Sequence, residues 1–375
     1  MLEIIENKSF FADSSLVKMV KRENNSKRNY LLVNSTQGKH IPCDPENVLN
    51  LFSELAGQIE TFCKNKKVLF IGFAETATAV GAGVASCFPD SYYIHTTREK
   101  SDSYELVAEF REEHSHATEQ LLYCNNWNEI FSDTDVIIFV EDEITTGKTI
   151  VNFINDLKNK NKVSDKTVFA ACSIINGMTE NRKQELLYSG LEFFWLMRVS
   201  AHTSTNDVYT YNKKSVTTEC TCKYEAYDIS GRADPRAGLP VKQYISACEG
   251  LAEDVLLKYD FNGMSVAVIG TEECMYPAIY TARYIEKNSA VKSIVTHSTT
   301  RSPIVAENTG DYPLRSRYQV ESLYEDSRKT YIYNPNIRNY DIVLVITDSL
   351  KENIKTDRLV NAFAGCGRFI LVRWR

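Results

Sequence analysis

Short apolar runs rich in Val and Ile recur along this chain, each followed by turn residues and then by a longer helical pattern. KVLFIG (67–72) leads into AETATAVGAGVASCF, and SYYIHT (91–96) into a long polar stretch. DVIIFV (135–140) leads into EDEITTGKT and then IVNFINDLKNK, and TVFAACSII (167–175) into a helical stretch around 179–188. Apolar runs without polar alternation read as strands buried on both faces, which parallel sheets covered by helices provide. The fold class is therefore α/β, with ligands expected at the carboxyl ends of the strands.

The same grammar then starts again. SVAVIGTEECMYPA (265–278) parallels KVLFIGFAETATAV, SIVTHSTTRSP (293–303) parallels SYYIHTTREK, and DIVLVITDS (341–349) parallels DVIIFVEDE. Thr-Thr-Arg follows comparable strands at 96–98 and 299–301. An internal duplication of one α/β unit accounts for this order. The alternative is two unrelated α/β domains sharing strand-turn-helix grammar. Between the halves, residues 201–240 are polar and Thr-rich, end in turn formers, and read as a connection. The expected division is 1–200, 201–240 and 241–375, and 375 residues suit two such domains.

Composition excludes other classes. With 43% hydrophobic and 25% charged residues the chain is neither disordered nor fibrous. A net charge of −6 supplies no global field for nucleic acid. No apolar run reaches the ~18 residues of a membrane helix, and the start has no secretory pattern, so a cytoplasmic address is expected. The ten cysteines then read as reduced thiols, many of them in the core. Cys220 and Cys222 form a tight CTC pair, but no second pair follows at zinc-like spacing.

The segment VEDEITTGKT (140–149) concentrates the chemistry. A buried strand ends in Glu141 and Asp142, and the loop Thr145-Thr146-Gly147-Lys148-Thr149 follows before a helix. Unsatisfied N–H groups at a helix start carry partial positive charge. Gly147 allows close backbone approach, and the threonine hydroxyls add donors. The two acids suit sugar hydroxyls or the outer shell of hydrated Mg²⁺. Together these features suit a sugar phosphate carrying a polyphosphate and a metal. A P-loop would need Gly where Asp142 stands. A dinucleotide fingerprint fails because Gly81 and Gly83 lie inside a helical pattern, with Ser86 at the third glycine position.

This segment is similar to the phosphoribosyl-diphosphate (PRPP) motif of type I phosphoribosyltransferases. The resemblance implies that Glu141 and Asp142 bind the ribose hydroxyls and act in catalysis, and that 145–149 bind the 5-phosphate. It places a pyrophosphate loop at Gly72-Phe73-Ala74-Glu75-Thr76, and Arg98 and Lys100 resemble a basic pair used on pyrophosphate. FREEHSHATEQ (110–120) stands where the family has a closing loop, so His114 and His116 become proton donors or phosphate ligands, or solvated loop residues. Orotate-type members carry lysines there.

With GKHIP (38–42), GFAETATAVG (72–81), EEHSHAT (112–118) and TRSP (300–303), the chain resembles the phosphoribosyltransferase family of tellurite-resistance and stress-response gene clusters. Its members carry a C-terminal domain named for Thr-Arg-Ser-Pro. The resemblance implies a type I phosphoribosyltransferase fold in the first half and transfer from PRPP, with Mg²⁺, to an unidentified small acceptor in nucleotide-like metabolism. The second half, with Asp348 at the Asp142 position but no TTG loop, reads as a degenerate duplicate. Lys39, His40, His297, Thr300, Arg301 and Ser302 are candidates for an acceptor or second site. Arg232 and Arg236 either reach an anionic acceptor or make a salt-bridged linker. A homodimer is expected by analogy. The rival readings are a PRPP-sensing regulator, the reverse phosphorolysis, and a PRPP synthetase, whose ATP site nothing here resembles.

Overall fold

The computed structural model describes residues 1–11, 16–25, 28–110, 120–160, 162–164, 166–202, 207–211 and 219–375. The first unit runs β1 (Leu2–Asn7), β2 (Val17–Lys21), β3 (Tyr30–Asn34), α1 (Pro45–Cys63), β4 (Val68–Gly72), α2 (Ala77–Ser86), β5 (Tyr92–His95), β6 (Leu106–Phe110) and β7 (Gln120–Tyr123). It continues with α3 (Trp127–Ser132), β8 (Val136–Ile144), α4 (Lys148–Asn159), β9 (Val168–Asn176), α5 (Glu180–Tyr188) and β10 (Leu191–Ala201). The second comprises β11 (Lys223–Ile229), β12 (Leu239–Pro240), α6 (Val241–Lys258), β13 (Ser265–Gly270), α7 (Tyr276–Asn288) and β14 (Ser293–Ser298). It ends with β15 (Arg317–Glu321), β16 (Lys329–Tyr333), β17 (Ile342–Thr347), α8 (Asp357–Ala362) and β18 (Arg368–Trp374).

Local chemistry explains the elements. Strand β4 is buried at every position, as are the apolar residues of β8 and β17, so helices must cover both sheet faces. Helix α1 starts where Asp44 accepts from the amides of Glu46 and Asn47, with Pro45 in its first turn. It buries Val48, Leu51, Phe52, Leu55, Ala56 and Ile59, a stripe at helical spacing.

The first sheet has the order β1-β10-β9-β8-β4-β5-β12, and the five strands from β10 to β5 are parallel. Chain order reverses between β4 and β8, which opens a crevice at their carboxyl ends. The second sheet, β11-β18-β17-β13-β14, is parallel throughout and reverses between β13 and β17. In both units an antiparallel hairpin, β6–β7 or β15–β16, falls between the second and third parallel strands. The match reaches single hydrogen bonds. Lys67 and Ser265 each donate a backbone N–H to the carboxylate of the aspartate before the third strand, Asp135 and Asp341 (2.8 and 2.7 Å). Thr97 bridges Leu121 as Thr300 bridges Tyr331. Shared grammar alone does not produce such correspondence, and the second unit repeats the first.

The repeats dock reciprocally. Cys43, just before α1, bridges Thr296 of β14, while Leu239, just before α6, pairs with Tyr93 of β5. Tyr93 and Thr296 hold the same register, opposite Phe70 and Val268. Helix α1 packs on α7, α6 on α2, and α2 on α7. This is the logic of an isologous dimer contained in one chain. The segment 201–240, read as a connection, is thus built into both sheets: β11 extends the second and β12 the first.

Gly83 of α2 marks the tightest approach, since a Cβ there would fall 2.2 Å from the Phe52 ring, whereas one at Gly57 in α1 would meet open space. Gly83→Ala is expected to lower stability by about 1–3 kcal/mol through overpacking. Gly57→Ala should raise it by about 0.5–1 kcal/mol through helix propensity. Urea unfolding midpoints of the two variants check both signs.

Candidate active site

Strand β8 does not stop before its acids. It carries Glu141, Asp142 and Glu143 in register with β9 and ends at Ile144. All three acids are half-buried. Burial first, and then the Glu143 charge next door, pushes the Asp142 carboxyl up to about 6. Glu143 is held by Arg28, just ahead of β3, at 2.5 Å. Arg28 also stacks over the Tyr30 ring.

The loop after β8 is open: Thr145, Thr146 and Lys148 are exposed, and Thr149 is half-buried at the start of α4. Gly147 has φ +66°, and a Cβ there would fall 2.7 Å from Leu186. Its glycine is therefore required by the fold, whatever the loop binds. Arg182 steadies the loop by donating to the Thr146 carbonyl (2.9 Å).

The neighbouring loop, at the end of β4, turns its side chains inward. Phe73 packs against Phe139 and Phe153. The Ala74 amide donates to Thr96 Oγ1, and its carbonyl accepts from Gln120. Thr76 is half-buried. The Phe73 amide donates to the Val140 carbonyl, and the Gly72 carbonyl accepts from the Thr96 amide. Glu75 points into the junction between the units, where Lys39 meets it at 2.5 Å and the Arg301 guanidinium at 2.9 Å. Burial opposes its charge, but these two cations hold its carboxyl far below the usual range.

The junction is a buried ionic cluster. Arg301 also reaches Glu273 (2.9 Å) and Glu272 (3.3 Å). Arg236 joins Asp348 (2.5 Å), Glu273 (3.2 Å) and Asp234 (3.2 Å), and Arg328 joins Glu272 (2.9 Å) and Glu99. The reciprocity continues here. The Arg301 amide donates to Glu75, and the Arg98 amide donates to Glu273, the residue in the Glu75 position (3.1 Å).

Several candidates for an acceptor site are thereby committed elsewhere. Lys39 is fully buried against Glu75 and the Glu272 carbonyl. Burial drives His40 and His297 down to about 3 and about 4, so both imidazoles are neutral near pH 7, and His297 Nε2 lies 2.6 Å from the Tyr333 carbonyl. The Thr-Arg-Ser-Pro signature is a structural joint. Thr300 is buried on Tyr331, Arg301 enters the ionic cluster, and Ser302 and Pro303 present carbonyls to the Tyr333 hydroxyl and the Glu23 amide. Of the two linker arginines, Arg236 is buried among the acids Asp234, Glu273 and Asp348. Arg232 pairs with Asp234 and lines a cavity of about 340 Å³ with Lys100, Tyr104 and Asp348. His114 and His116 lie outside the described residues.

A larger hollow of about 770 Å³ lies at the opposite, amino end of β4, away from these groups. The residues missed in the sequence are Arg28, Glu143, Glu272, Glu273 and Arg328. Glu273 was recoverable, since GTEEC sets it in register with Glu75 of GFAET. No helix among the described residues is long and apolar enough to cross a membrane.

A family model described as phosphoribosyl transferase matches residues 16–198, and one for the TRSP domain C-terminal to that transferase matches 241–363. The chain belongs to this phosphoribosyltransferase family. Similar solved structures include the adenine phosphoribosyltransferase of Giardia lamblia in complex with 9-deazaadenine (10% identity, 50% of this chain, 96% of that one, TM-score 0.34). The Trypanosoma brucei enzyme in complex with AMP, pyrophosphate and ribose-5-phosphate shares 13% identity, over 54% of this chain and 85% of that one (TM-score 0.37). The orotate phosphoribosyltransferase of Aeropyrum pernix shares 14%, over 48% and 88% (TM-score 0.31). No curated protein matches the chain.

Removing one side of a buried ionic cluster strands the rest. Arg301→Ala should therefore lower stability by about 3–5 kcal/mol in denaturant titration. The acid limb has a defined sign. Burial pushes the Asp348 carboxyl up, but Arg236 and the Tyr324 hydroxyl more than offset this and hold it at about 2. Its contribution is full above the unfolded value near 4 and is lost as pH falls toward 2. Arg236→Gln should flatten that limb in pH-dependent unfolding.

Proposed function

We propose that the chain transfers the 5-phosphoribosyl group of PRPP to a small acceptor, releasing pyrophosphate, in metabolism of nucleotide-like compounds. One observation carries this reading. Strand β8 presents Glu141 and Asp142 and runs directly into the Thr145–Thr149 turn that opens α4, with Thr145, Thr146 and Lys148 exposed, in the crevice where strand order reverses.

Each group then has a role. The amides and hydroxyls of 145–149 take the 5-phosphate. Glu141 and Asp142 accept from the ribose hydroxyls. The backbone of 72–76 and the cation of Arg98 face the departing diphosphate. Lys100 serves there too, or serves the cavity that it shares with Arg232. His114 and His116 are the proposed proton donors. Positioning and stabilisation of developing charge supply most of the rate.

Magnesium fits the donor set. Glu141 and Asp142 offer hard oxygens, and Mg²⁺ is commonly held by one or two carboxylates plus substrate phosphates. When bound, it would neutralise charge on the diphosphate. These two acids would hold it through its water shell.

Asp142→Asn is expected to weaken PRPP binding and lower turnover by at least tenfold, about 1.4 kcal/mol, as read by calorimetric titration with PRPP and Mg²⁺ and by pyrophosphate release. Because the Asp142 carboxyl is raised to about 6, it accepts hydrogen bonds fully only above that pH. Wild-type affinity should rise as pH increases through about 6 and then level, and the variant should lose this step. Wild-type affinity in the variant would sink the assignment. Binding without pyrophosphate release for any acceptor would identify a sensor, and consumption of a nucleotide with pyrophosphate would identify the reverse reaction.

A further inference from the structure

Cys220, Cys222 and Cys366 come together at the amino end of the second sheet. Cys222 immediately precedes β11, and Cys366 stands two residues before β18. Those strands are parallel neighbours with Lys223 opposite Arg368, so they begin side by side and the segments before them converge. The Lys223 amide donates to the Gly367 carbonyl (3.1 Å), and the Cys220 amide to Asn361 Oδ1 (2.9 Å), which fixes the approach of both segments. The three sulfur atoms lie within 4.8 Å of one another, and Cys220 Sγ and Cys366 Sγ are 3.9 Å apart.

That spacing is informative. A disulfide would need about 2.05 Å between sulfurs. Three thiolates at about 2.3 Å from one ion lie about 3.8–4.0 Å apart, whether the ion is tetrahedral or trigonal. Cys366 is buried and the CTC pair half-buried, so the face toward solvent remains open for an ion to enter. Among the described residues this is the one place where three ligand-type side chains converge in this way. The other seven cysteines stand outside it.

We propose that Cys220, Cys222 and Cys366 form a binding site for a thiophilic d10 metal ion, Zn²⁺ or Cu⁺. Sulfur-only ligation excludes the hard cations that the strand-end acids would take. Zn²⁺ would keep a fourth position for water, whereas Cu⁺ is satisfied by three thiolates. Each thiol gives up its proton on ligation, so binding releases protons to solvent. The ion would tie the start of the edge strand β11 to β18. The site lies at the end of the sheet opposite the ionic junction, and it does not depend on the phosphoribosyl-transfer reading.

The test uses the full-length reduced protein, freed of metal by a chelator. Zn²⁺ is titrated in competition with a chromophoric chelator, and Cu⁺ in competition with bicinchoninate under anaerobic conditions. One equivalent of one of these ions is expected to bind, with thermal unfolding shifted upward. Cys220→Ser, Cys222→Ser and Cys366→Ser should each weaken binding at least about a hundredfold, whereas Cys87→Ser should not. Preserved thermal unfolding of the metal-free Cys220→Ser protein separates lost ligation from lost folding. Absence of stoichiometric binding of both ions would overturn the proposal, as would binding indifferent to these three substitutions. Mild oxidation that instead pairs two of the three thiols, in protein that takes up neither ion, would overturn it in favour of a redox pair.

Discussion

The junction between the two units rests on charges largely withdrawn from water. Glu75, Glu272, Glu273 and Asp348 come from strand ends on both sides, and Lys39, Arg236, Arg301 and Arg328 answer them. Isolated, any one of these charges would be costly to bury; together they are compensated only if every partner is in place. The cluster therefore specifies how the units meet more sharply than apolar packing of α1, α2, α6 and α7 could. It also fixes the loop at the end of β4, because Glu75 belongs both to that loop and to the cluster.

The two crevices differ in what the cluster does to them. At the end of β8 the acids are half-buried, Thr145, Thr146 and Lys148 of the following turn are exposed, and the Arg28 guanidinium goes to Glu143. At the end of β17 the matching aspartate, Asp348, already holds Arg236 and the Tyr324 hydroxyl. The groups that leave one aspartate available have been replaced around the other by internal partners. This is the physical content of degeneracy in the second unit.

Much of this was legible in the sequence. The buried strands, the parallel class, the repeat, and the strand-to-turn segment at 140–149 all rest on local patterns: unbroken apolar runs, paired acids, a glycine before a helix. What local pattern does not carry is partnership across long separations. Lys39, Arg236 and Arg301 have the composition of a ligand site, and nothing near them in the chain shows that, Asp234 apart, their anions lie tens to hundreds of residues away. Residues 223–229 were obscured by a polar, alternating composition, because an edge strand lacks the apolar run of a central one. Cys366 was invisible as a companion of Cys220 and Cys222 for the same reason, since the register of β11 on β18 makes them neighbours.

The reciprocal docking of the repeats has a consequence for how such a molecule behaves in dilute solution. Two separate copies meeting through this interface would part as their concentration fell. Here the segment from β10 through β11 to α6 holds each half at a fixed effective concentration, set by the reach of the chain and not by the amount of protein. A pair released from self-matching also escapes the rule that every substitution appears on both sides of an axis. One half was free to fill its crevice while the other kept its own open.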